Sequence, residues 1–302
     1  MATSLKRKRA APKPASGPGG MRLTHPDRVI FAAQGLTKRD LAEYYVEIAP
    51  HMLPHIARRP LSLVRCPTGT GDKCFYQKHP VVGMTDAIRR VKVREKNGYE
   101  QYVHVDDARG LLELIQFGTL EIHPWGSRAD DLDHPDQLIF DLDPDPSVPW
   151  KRVVEAAHET KSLLEEIGLR SFPKSTGGKG LHVVVPIKPT VEWAPAKQFC
   201  RQLAELMVSR APDDYTTNMS KSVRKNKIFV DYLRNDFGST AIAAFSTRAR
   251  EGAPVAVPLS WREVTADLKP ASFTLAAVRE RLKRQRTDPW KDFWKLRQEL
   301  KL

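Results

Sequence analysis

Apolar positions along this chain recur either every three to four residues or every second residue, and the two periods predict a mixture of helices and strands. The first helical run, LAEYYVEI, follows Thr37, which can cap a helix, and we expect the helix to end at Pro50. Two longer helices are predicted over about residues 149–167 and 194–210.

Short runs rich in β-branched and aromatic residues predict strands around these helices. Residues 61–101 contain several such runs, and the Asn97-Gly98 pair predicts a hairpin. Helix-like LLELIQF precedes strand-like LEIHPW, and further strands are predicted in QLIFDLDP, HVVVP and KIFVD. The alternation of strands and helices in the second half indicates a mixed α/β domain, and residues 271–302 are typical of a basic helix pair.

The composition is that of a globular protein that needs no structural metal or disulfide to fold. The 302 residues are 41% hydrophobic and 28% charged, which favours one large domain or two lobes around a cleft. No apolar stretch approaches the ~18 residues of a membrane span, and the N-terminal segment lacks the apolar core of a signal peptide. Cys66, Cys74 and Cys200 share no CxxC spacing, so we expect neither a disulfide framework nor a zinc site. These features predict a cytoplasmic protein without membrane contact.

Positive charge is the most informative property of the composition. The chain has 49 Lys and Arg against 36 Asp and Glu, a net charge of +13, which is typical of proteins that bind nucleic acid. Residues 1–21 contain five cations and no acid among Ala, Pro, Ser and Gly. We interpret this segment as a basic linker or tail, and a nucleic-acid arm is the alternative.

Two aspartates share one face of a predicted strand. Side chains alternate along IFDLDP, so Asp141 and Asp143 project to the same side, with Cα atoms about 6.6 Å apart. Asp231 ends another apolar strand, IFVD. Clustered carboxylates repel one another unless a cation compensates, so the set predicts a divalent-metal site for phosphoryl transfer. Acids that only solvate the ends of strands are the alternative.

A glycine-rich loop, PKSTGGKGLH, enters the strand that follows it. Its glycines let backbone N–H groups approach an anion, and its hydroxyls and lysine add donors, so the loop predicts a phosphate cradle. The loop is not a Walker A motif, since no G-x-x-x-x-G-K-[ST] run is present. The residues expected to bind nucleotide phosphates from this loop and from nearby basic runs are Ser175, Thr176, Lys179, His182, Arg234 and Arg248.

These motifs together resemble the polymerase domain of bacterial ATP-dependent DNA ligase D, a member of the archaeo-eukaryotic primase superfamily. The resemblance extends from about residue 23 to about residue 284 and rests on LTHPDRVIF, GLTKRDLAEYY, CFYQKH, LEIHPW, LIFDLDP, STGGKGLHVVVP and KIFVDYLRN. It implies an α+β fold with a primase-like core and an RRM-like β-sheet in a two-lobed domain over residues 22–302. The expected N-terminal lobe covers about residues 22–130, and the catalytic lobe covers about residues 131–302.

The resemblance also implies an activity and roles for residues. It implies a DNA-end repair nucleotidyltransferase that uses two Mn²⁺ ions, with Mg²⁺ as the alternative, and adds NTP or dNTP to a primer 3′-hydroxyl, in part without a template. Asp141, Asp143 and Asp231 match the metal-binding triad. The other matched residues are His182 with Ser175 and Thr176 at the triphosphate, Arg248 at the triphosphate, His123 near the sugar or primer end, Phe75 as a stacking aromatic, and Arg28 with Lys38 at a downstream 5′-phosphate.

The partners implied in the same way are DNA with 5′-phosphorylated ends, gaps or overhangs, ligase and phosphoesterase modules of the same polypeptide, and the end-binding protein Ku near the bacterial nucleoid. Two other functions stay open. A non-catalytic DNA-end-binding module would use the positive charge alone, with structural acids. A metal-dependent phosphoesterase would shorten strands, although the sequence has no His-rich metal cluster.

Overall fold

The computed structural model describes residues 17–301, so most of the tail predicted over residues 1–21 lies outside the described residues. The five α-helices of this part are α1 (Lys38–Ile56), α2 (Ala108–Gln116), α3 (Trp150–Glu166), α4 (Trp193–Arg210) and α5 (Leu275–Arg284). The strands are β1 (Val29–Phe31), β2 (Leu36–Thr37), β3 (Leu61–Arg65), β4 (Phe75–Gln77), β5 (Arg89–Glu95), β6 (Gly98–His104), β7 (Thr119–Pro124), β8 (Gln137–Pro144), β9 (Phe172–Ser175), β10 (Leu181–Pro186), β11 (Tyr215–Thr216), β12 (Ile228–Asp231) and β13 (Val257–Pro258).

The strands form one large sheet and three small ones. The large sheet has the order β11-β12-β8-β10-β9-β13, and only its β11–β12 pair is parallel. A three-stranded sheet has the order β4-β3-β7, while β1 pairs with β2 and β5 with β6. Helices α3 and α4 contact the large sheet, and α1 packs on α2. This arrangement confirms the predicted α+β fold class.

Helix α1 begins where the sequence predicts but ends later. Thr37 caps it as expected, with the side chains and backbones of Thr37 and Asp40 bonded reciprocally. The prediction that it ends at Pro50 is wrong, because the helix continues through Pro50 and Pro54 to Ile56. A proline inside a helix costs about 3 kcal/mol. Burial of Met52 and Ile56 offsets this cost, since each fully buried side chain of this kind contributes roughly 1.5–3 kcal/mol.

The C-terminal segment is also different from the prediction. Only α5 is an α-helix there, and residues 285–301 form an irregular segment with turns over residues 289–292 and a short 3-10 helix at Phe293–Lys295. Trp290 and Phe293 are buried and their rings stack with centroids 4.6 Å apart. Aromatic burial therefore holds this segment in place without a second α-helix, and the predicted helix pair is wrong.

The cysteines are paired in part, which corrects the expectation drawn from their spacing. Cys66 and Cys74 form a disulfide directly beyond the last pair of the β3–β4 ladder, Arg65 with Phe75. The bond closes the loop of residues 67–73 across two strand ends. Cys200 is buried and free. Separately, none of the helices among residues 17–301 has the length and apolar content to cross a membrane.

Candidate active site

Four neighbouring strands of the large sheet place polar side chains in one row. Asp141 on β8 lies directly opposite Asp231 on β12 and opposite His182 on β10. His182 in turn lies opposite Lys174 on β9. Directly paired residues of antiparallel strands project to the same face, so the row runs Asp231, Asp141, His182, Lys174. The strands themselves are apolar, and burial of their other face positions the row.

Arg234 holds the two carboxylates that face each other in this row. Its Nε atom lies 3.3 Å from Asp141 Oδ2, and its Nη2 atom lies 3.0 Å from Asp231 Oδ2. His182 Nε2 lies 3.4 Å from the other oxygen of Asp141. The second ring nitrogen of His182, Nδ1, is buried without a hydrogen-bond partner among the described residues. The row therefore has both negative charge and an open polar position.

The two carboxylates differ in how strongly they hold a proton. Burial raises the pKa of Asp231 to about 6, and the neighbouring charge of Asp141 adds to the effect. Burial acts in the same direction on Asp141, but His182 and Arg234 outweigh it and lower the pKa of Asp141. Burial lowers the pKa of His182 to about 4, so its ring is neutral at neutral pH. Crowding of like charge in the row is the feature that a bound cation would relieve.

Asp143 stands beside the row on the same face of β8. Its carboxylate pairs with Arg224 at 3.0 Å and with Lys179 at 3.8 Å. With Asp141 and Asp231 it makes an all-oxygen set, which Mg²⁺ and Mn²⁺ prefer. Basic side chains now share these carboxylates, and within residues 17–301 no three His, Cys, Asp or Glu side chains already converge at metal-binding distances. The chemistry of the set fits a divalent cation, which would compete with these ion pairs for the oxygens.

The row opens into a cavity of about 410 Å³. Basic side chains line it together with two of the carboxylates. The predicted residues on its wall are His123, Asp141, Asp143, Thr176, Lys179, His182, Arg234 and Arg248, and Tyr76 and Arg250 join them. The structure thus brings together eight residues that the sequence singled out. Ser175 and Asp231 are buried behind this wall.

The glycine-rich loop fits closely against the strand that carries the aspartates. A side chain at Gly180 would lie 2.5 Å from the carbonyl oxygen of Leu142, and Gly177 has a positive φ of 66°. Ser175 turns inward, where its hydroxyl accepts from the N–H of Gly177 at 3.3 Å. Thr176 lines the cavity instead. The geometry therefore favours Thr176 over Ser175 as the hydroxyl that a bound phosphate would meet.

One buried carboxylate joins two of the predicted nucleotide-binding residues. Glu121 on β7 lies 2.8 Å from His123 Nε2 and 3.2 Å from Arg248 Nε. Arg248 also donates from Nη1 to the carbonyl oxygen of Thr176 at 3.1 Å. Arg248 thereby connects strand β7, through Glu121, to the glycine-rich loop at Thr176.

The two aromatics of strand β4 face opposite sides. Phe75, the predicted stacking residue, does not line the cavity, and its ring lies 5.4 Å from the guanidinium of Arg65. Tyr76 is 77% exposed and lines the cavity beside His123, with ring centroids 6.4 Å apart. The exposed aromatic ring on the cavity wall is therefore that of Tyr76, which the sequence analysis did not name.

Arg28 and Lys38 form a separate cationic pair away from the cavity. The Lys38 ammonium donates to the carbonyl oxygens of Thr24 at 3.1 Å and Gln116 at 2.7 Å, and to Gln116 Oε1 at 2.9 Å. Arg28 donates from Nη1 to the carbonyl oxygen of Pro67 at 2.8 Å. Burial and the charge of Arg28 together lower the pKa of Lys38 to about 8. The pair is held by neutral oxygens and keeps its positive charge.

The sequence analysis missed three residues of the site, and each carried a signal. Tyr76 follows Phe75 in a strand, so alternation alone puts one of the two on the cavity face. Glu121 is two residues before His123 in a strand and therefore shares its face. Lys174 is a charge inside an apolar strand, where its ammonium is buried and donates to the carbonyl oxygen of Ile242 at 2.5 Å.

Comparison with known proteins identifies the family. The family described as LigD, primase-polymerase domain, matches residues 37–290. The chain is 36% identical over 296 residues to the multifunctional non-homologous end joining protein LigD of Pseudomonas aeruginosa, covering 97% of this chain and 35% of that protein. It is 31% identical over 277 residues to the bifunctional non-homologous end joining protein LigD of Bacillus subtilis, covering 91% of this chain and 44% of that protein.

A solved structure agrees with the sequence relatives. The polymerase domain from Mycobacterium tuberculosis ligase D, solved in complex with DNA, matches with a TM-score of 0.85 and 31% identity, covering 90% of this chain and 97% of that one. This match confirms the primase-polymerase type of fold. The chain spans about a third of the length of the Pseudomonas relative. By family match, sequence identity and fold, this chain belongs to the LigD primase-polymerase domain family.

Proposed function

We propose that this chain is a nucleotidyltransferase that adds ribo- or deoxyribonucleotides to the 3′-hydroxyl of a DNA primer during the joining of broken ends. The observation that carries the proposal is the pairing of Asp141 with Asp231 and His182 on adjacent strands, with Asp141, His182, Lys179 and Arg248 lining one cavity. Transfer of a nucleotidyl group needs carboxylates for cations and fixed basic donors for the triphosphate, side by side.

The triphosphate would be bound by residues of the glycine-rich loop and its neighbours. Thr176, Lys179 and Arg248 line the same cavity, and Arg248 is already oriented by Glu121 at 3.2 Å. His182 presents a buried Nδ1 without a partner among the described residues, which a phosphate or hydroxyl could satisfy. Fixed donors of this kind stabilise the charge of phosphoryl transfer without reorganisation.

Asp141, Asp143 and Asp231 are the residues that would hold two Mn²⁺ ions, with Mg²⁺ as the alternative. When bound, the ions would lower the pKa of the primer 3′-hydroxyl and neutralise charge on the departing pyrophosphate. Without bound ions, Arg234 forms ion pairs with both Asp141 and Asp231. The chain itself therefore supplies orientation and a partly buried, low-dielectric setting for these carboxylates.

The choice of base would come from pairing with a template and from stacking on Tyr76, with little readout of sequence by the protein. The net charge of +13 favours contact with the DNA backbone, so binding should weaken steeply as salt rises. Arg28 and Lys38 would bind a downstream 5′-phosphate, as the resemblance implies. We further propose that ligase and phosphoesterase modules in one polypeptide, and Ku at the ends, are its partners in the bacterial cytoplasm near the nucleoid.

The proposal is tested by extension of a labelled primer across a gap with a downstream 5′-phosphate. The wild-type protein should lengthen the primer with Mn²⁺ and either NTP or dNTP, and Asp141→Asn should abolish this. Asp145→Asn is the matched control, because Asp145 belongs to the same DLDPD run but its carboxylate accepts hydrogen bonds from Ser147 and does not line the cavity. Binding without lengthening would instead support a non-catalytic end-binding module, and shortening would support a phosphoesterase.

A further inference from the structure

Glu121 is a buried charge at the edge of the cavity with three partners. It is 5% exposed, and its Oε2 atom lies 2.8 Å from His123 Nε2. Its Oε1 atom accepts from the backbone N–H of Ala249 at 2.8 Å and lies 3.2 Å from Arg248 Nε. Both carboxylate oxygens are therefore committed, one to His123 and one to the segment that carries Arg248.

These contacts determine where the proton of the His123 ring lies. Burial raises the pKa of Glu121, but His123 and Arg248 outweigh it and lower that pKa to about 2, so the carboxylate is ionised and only accepts. Burial lowers the pKa of His123, so its ring is neutral at neutral pH. The single ring proton must then be on Nε2, where it is donated to Glu121.

The other ring nitrogen, Nδ1, is consequently a hydrogen-bond acceptor. It makes no hydrogen bond within residues 17–301, and it is not among their buried unpartnered atoms. His123 lines the cavity together with Asp141 and Arg248. An acceptor is thus available next to the carboxylates and the triphosphate-binding side chains.

We propose that Glu121 is a positioning residue that fixes the Nε2–H tautomer of His123, so that Nδ1 accepts a hydrogen bond from a sugar hydroxyl of the incoming nucleotide. The inference rests on the proposed function, because it needs a nucleotide in the cavity. A ribose 2′-hydroxyl can donate to this acceptor, whereas a deoxyribose has no hydroxyl there. Glu121 would therefore give the site a preference for ribonucleotides over deoxyribonucleotides without itself touching the nucleotide.

Substitution of Glu121 by glutamine separates this role from simple packing. Glutamine keeps the size of the side chain but replaces one acceptor oxygen by a donating NH2 group. If the NH2 group faced Arg248 and the backbone N–H of Ala249, hydrogen-bond donors would face each other with no acceptor between them. The NH2 group should therefore face His123. The ring must then accept at Nε2, its proton moves to Nδ1, and the acceptor in the cavity is lost.

The experiment compares wild-type protein, Glu121→Gln and Glu113→Gln as matched control. Glu113 is equally buried, bonds through both oxygens to Thr85 and does not line the cavity. Long-range ¹⁵N–¹H spectra of the free proteins report the histidine tautomers, with His123→Gln used to assign the His123 signals. The kcat/KM for ATP divided by that for dATP reports the sugar preference.

We expect the Nε2–H tautomer of His123 in wild-type protein, the Nδ1–H tautomer in Glu121→Gln, and a preference for ATP over dATP reduced about tenfold in that variant. Glu113→Gln should leave both readouts unchanged. An Nδ1–H tautomer in the wild-type protein, or an unchanged sugar preference in Glu121→Gln, would overturn the inference. If the wild-type protein incorporated no nucleotide, the proposed function would fail, and the tautomer spectrum would still decide whether Glu121 orients His123.

Discussion

The cavity and the Arg28–Lys38 pair are both basic, yet they differ in whether their cations are paired with carboxylates. In the cavity, Arg234 is shared between two carboxylates and Arg248 pairs with Glu121. In the pair, the Lys38 ammonium bonds only to Thr24 and Gln116, which are neutral. The first region mixes both signs, and the second keeps an uncompensated positive charge.

This difference indicates which ligand suits each region. A site with paired charges of both signs can accept a metal ion on its carboxylates and a triphosphate on its cations. A site with positive charge alone can accept only an anion, and the pKa of Lys38, lowered to about 8 by burial and by Arg28, shows that an anion would relieve it. The comparison therefore supports the proposals that the cavity binds the nucleotide and that the pair binds a DNA 5′-phosphate.

The largest expected effect comes from the buried carboxylate of the row. Asp231→Asn removes one of the three proposed metal ligands. Loss of a residue that only orients a metal ligand typically lowers metal affinity or activity 10–100-fold. Loss of a ligand itself should therefore lower the rate of nucleotide addition by more than about 100-fold. Asp236→Asn is the control, since Asp236 follows on the same segment and pairs with Lys197. Primer extension measures the activity of both variants. If Asp231→Asn were as active as the Asp236→Asn control, Asp231 would not be a metal ligand of the site.

The two aromatics of β4 sharpen the comparison, because each faces one region. Tyr76→Ala should raise the KM for nucleotide, since stacking on a base is worth about 1–3 kcal/mol. Phe75→Ala should leave the KM for nucleotide unchanged and weaken DNA binding instead, because Phe75 packs on Arg65, which bonds to Phe117 beside the Lys38 contacts. Nucleotide titrations and DNA binding by anisotropy distinguish the two. An equal rise of KM in both variants would contradict the assignment of faces.

The Arg28–Lys38 pair should recognise phosphate and little else. Lys38→Met should reduce the preference for 5′-phosphorylated over 5′-hydroxyl DNA by about tenfold, or ~1.4 kcal/mol. The control is Arg39→Met, at the next position along α1. Arg39 pairs with the exposed Asp27, so this substitution should leave the preference unchanged. In the wild-type protein the preference should decline as pH rises through about 8, because Lys38 loses its proton there. A preference that stays constant from pH 7 to pH 9 would exclude Lys38 from the contact.

The smallest effect concerns the disulfide, which borders the pair and not the cavity. Cys66 and Cys74 are eight positions apart, and closing so short a loop stabilises a protein by about 2.5 kcal/mol in the chain-entropy model. Reduction, or Cys74→Ser, should lower the melting temperature. The loop holds Arg28 through Pro67, so phosphate preference should fall slightly while the KM for nucleotide stays unchanged. A change in that KM would show that the two regions are coupled.

Local sequence rules correctly predicted the features that depend on neighbouring residues along the chain, namely strand faces, a turn and helix bounds. Alternation put Asp141 and Asp143 on one face of β8, Asn97-Gly98 marks the turn between β5 and β6, and helices α3 and α4 lie within a few residues of their predicted bounds. The grouping of these elements into one site came from the family resemblance, since no spacing shows that β12 pairs with β8.

What the sequence did not predict depends on tertiary packing. Pro50 does not end α1 because the core continues to bury Met52 and Ile56. The Cys66–Cys74 bond requires knowledge that β3 and β4 are antiparallel neighbours. The contact of Glu121 with Arg248 crosses more than a hundred positions of the chain. The same reason explains why the sequence alone did not show that Tyr76, and not Phe75, lines the cavity, since the orientation of β4 is set by its partner strand.

The most direct single measurement is the binding of Mn²⁺, followed by the loss of the free-ion signal in electron paramagnetic resonance, with and without ATP. Wild-type protein should bind Mn²⁺ more tightly when ATP is present, Asp141→Asn should lose this binding, and Asp145→Asn should retain it. Equal Mn²⁺ binding by wild-type protein and Asp141→Asn, with ATP having no effect, would contradict a metal and triphosphate site on the Asp231–Asp141–His182 row.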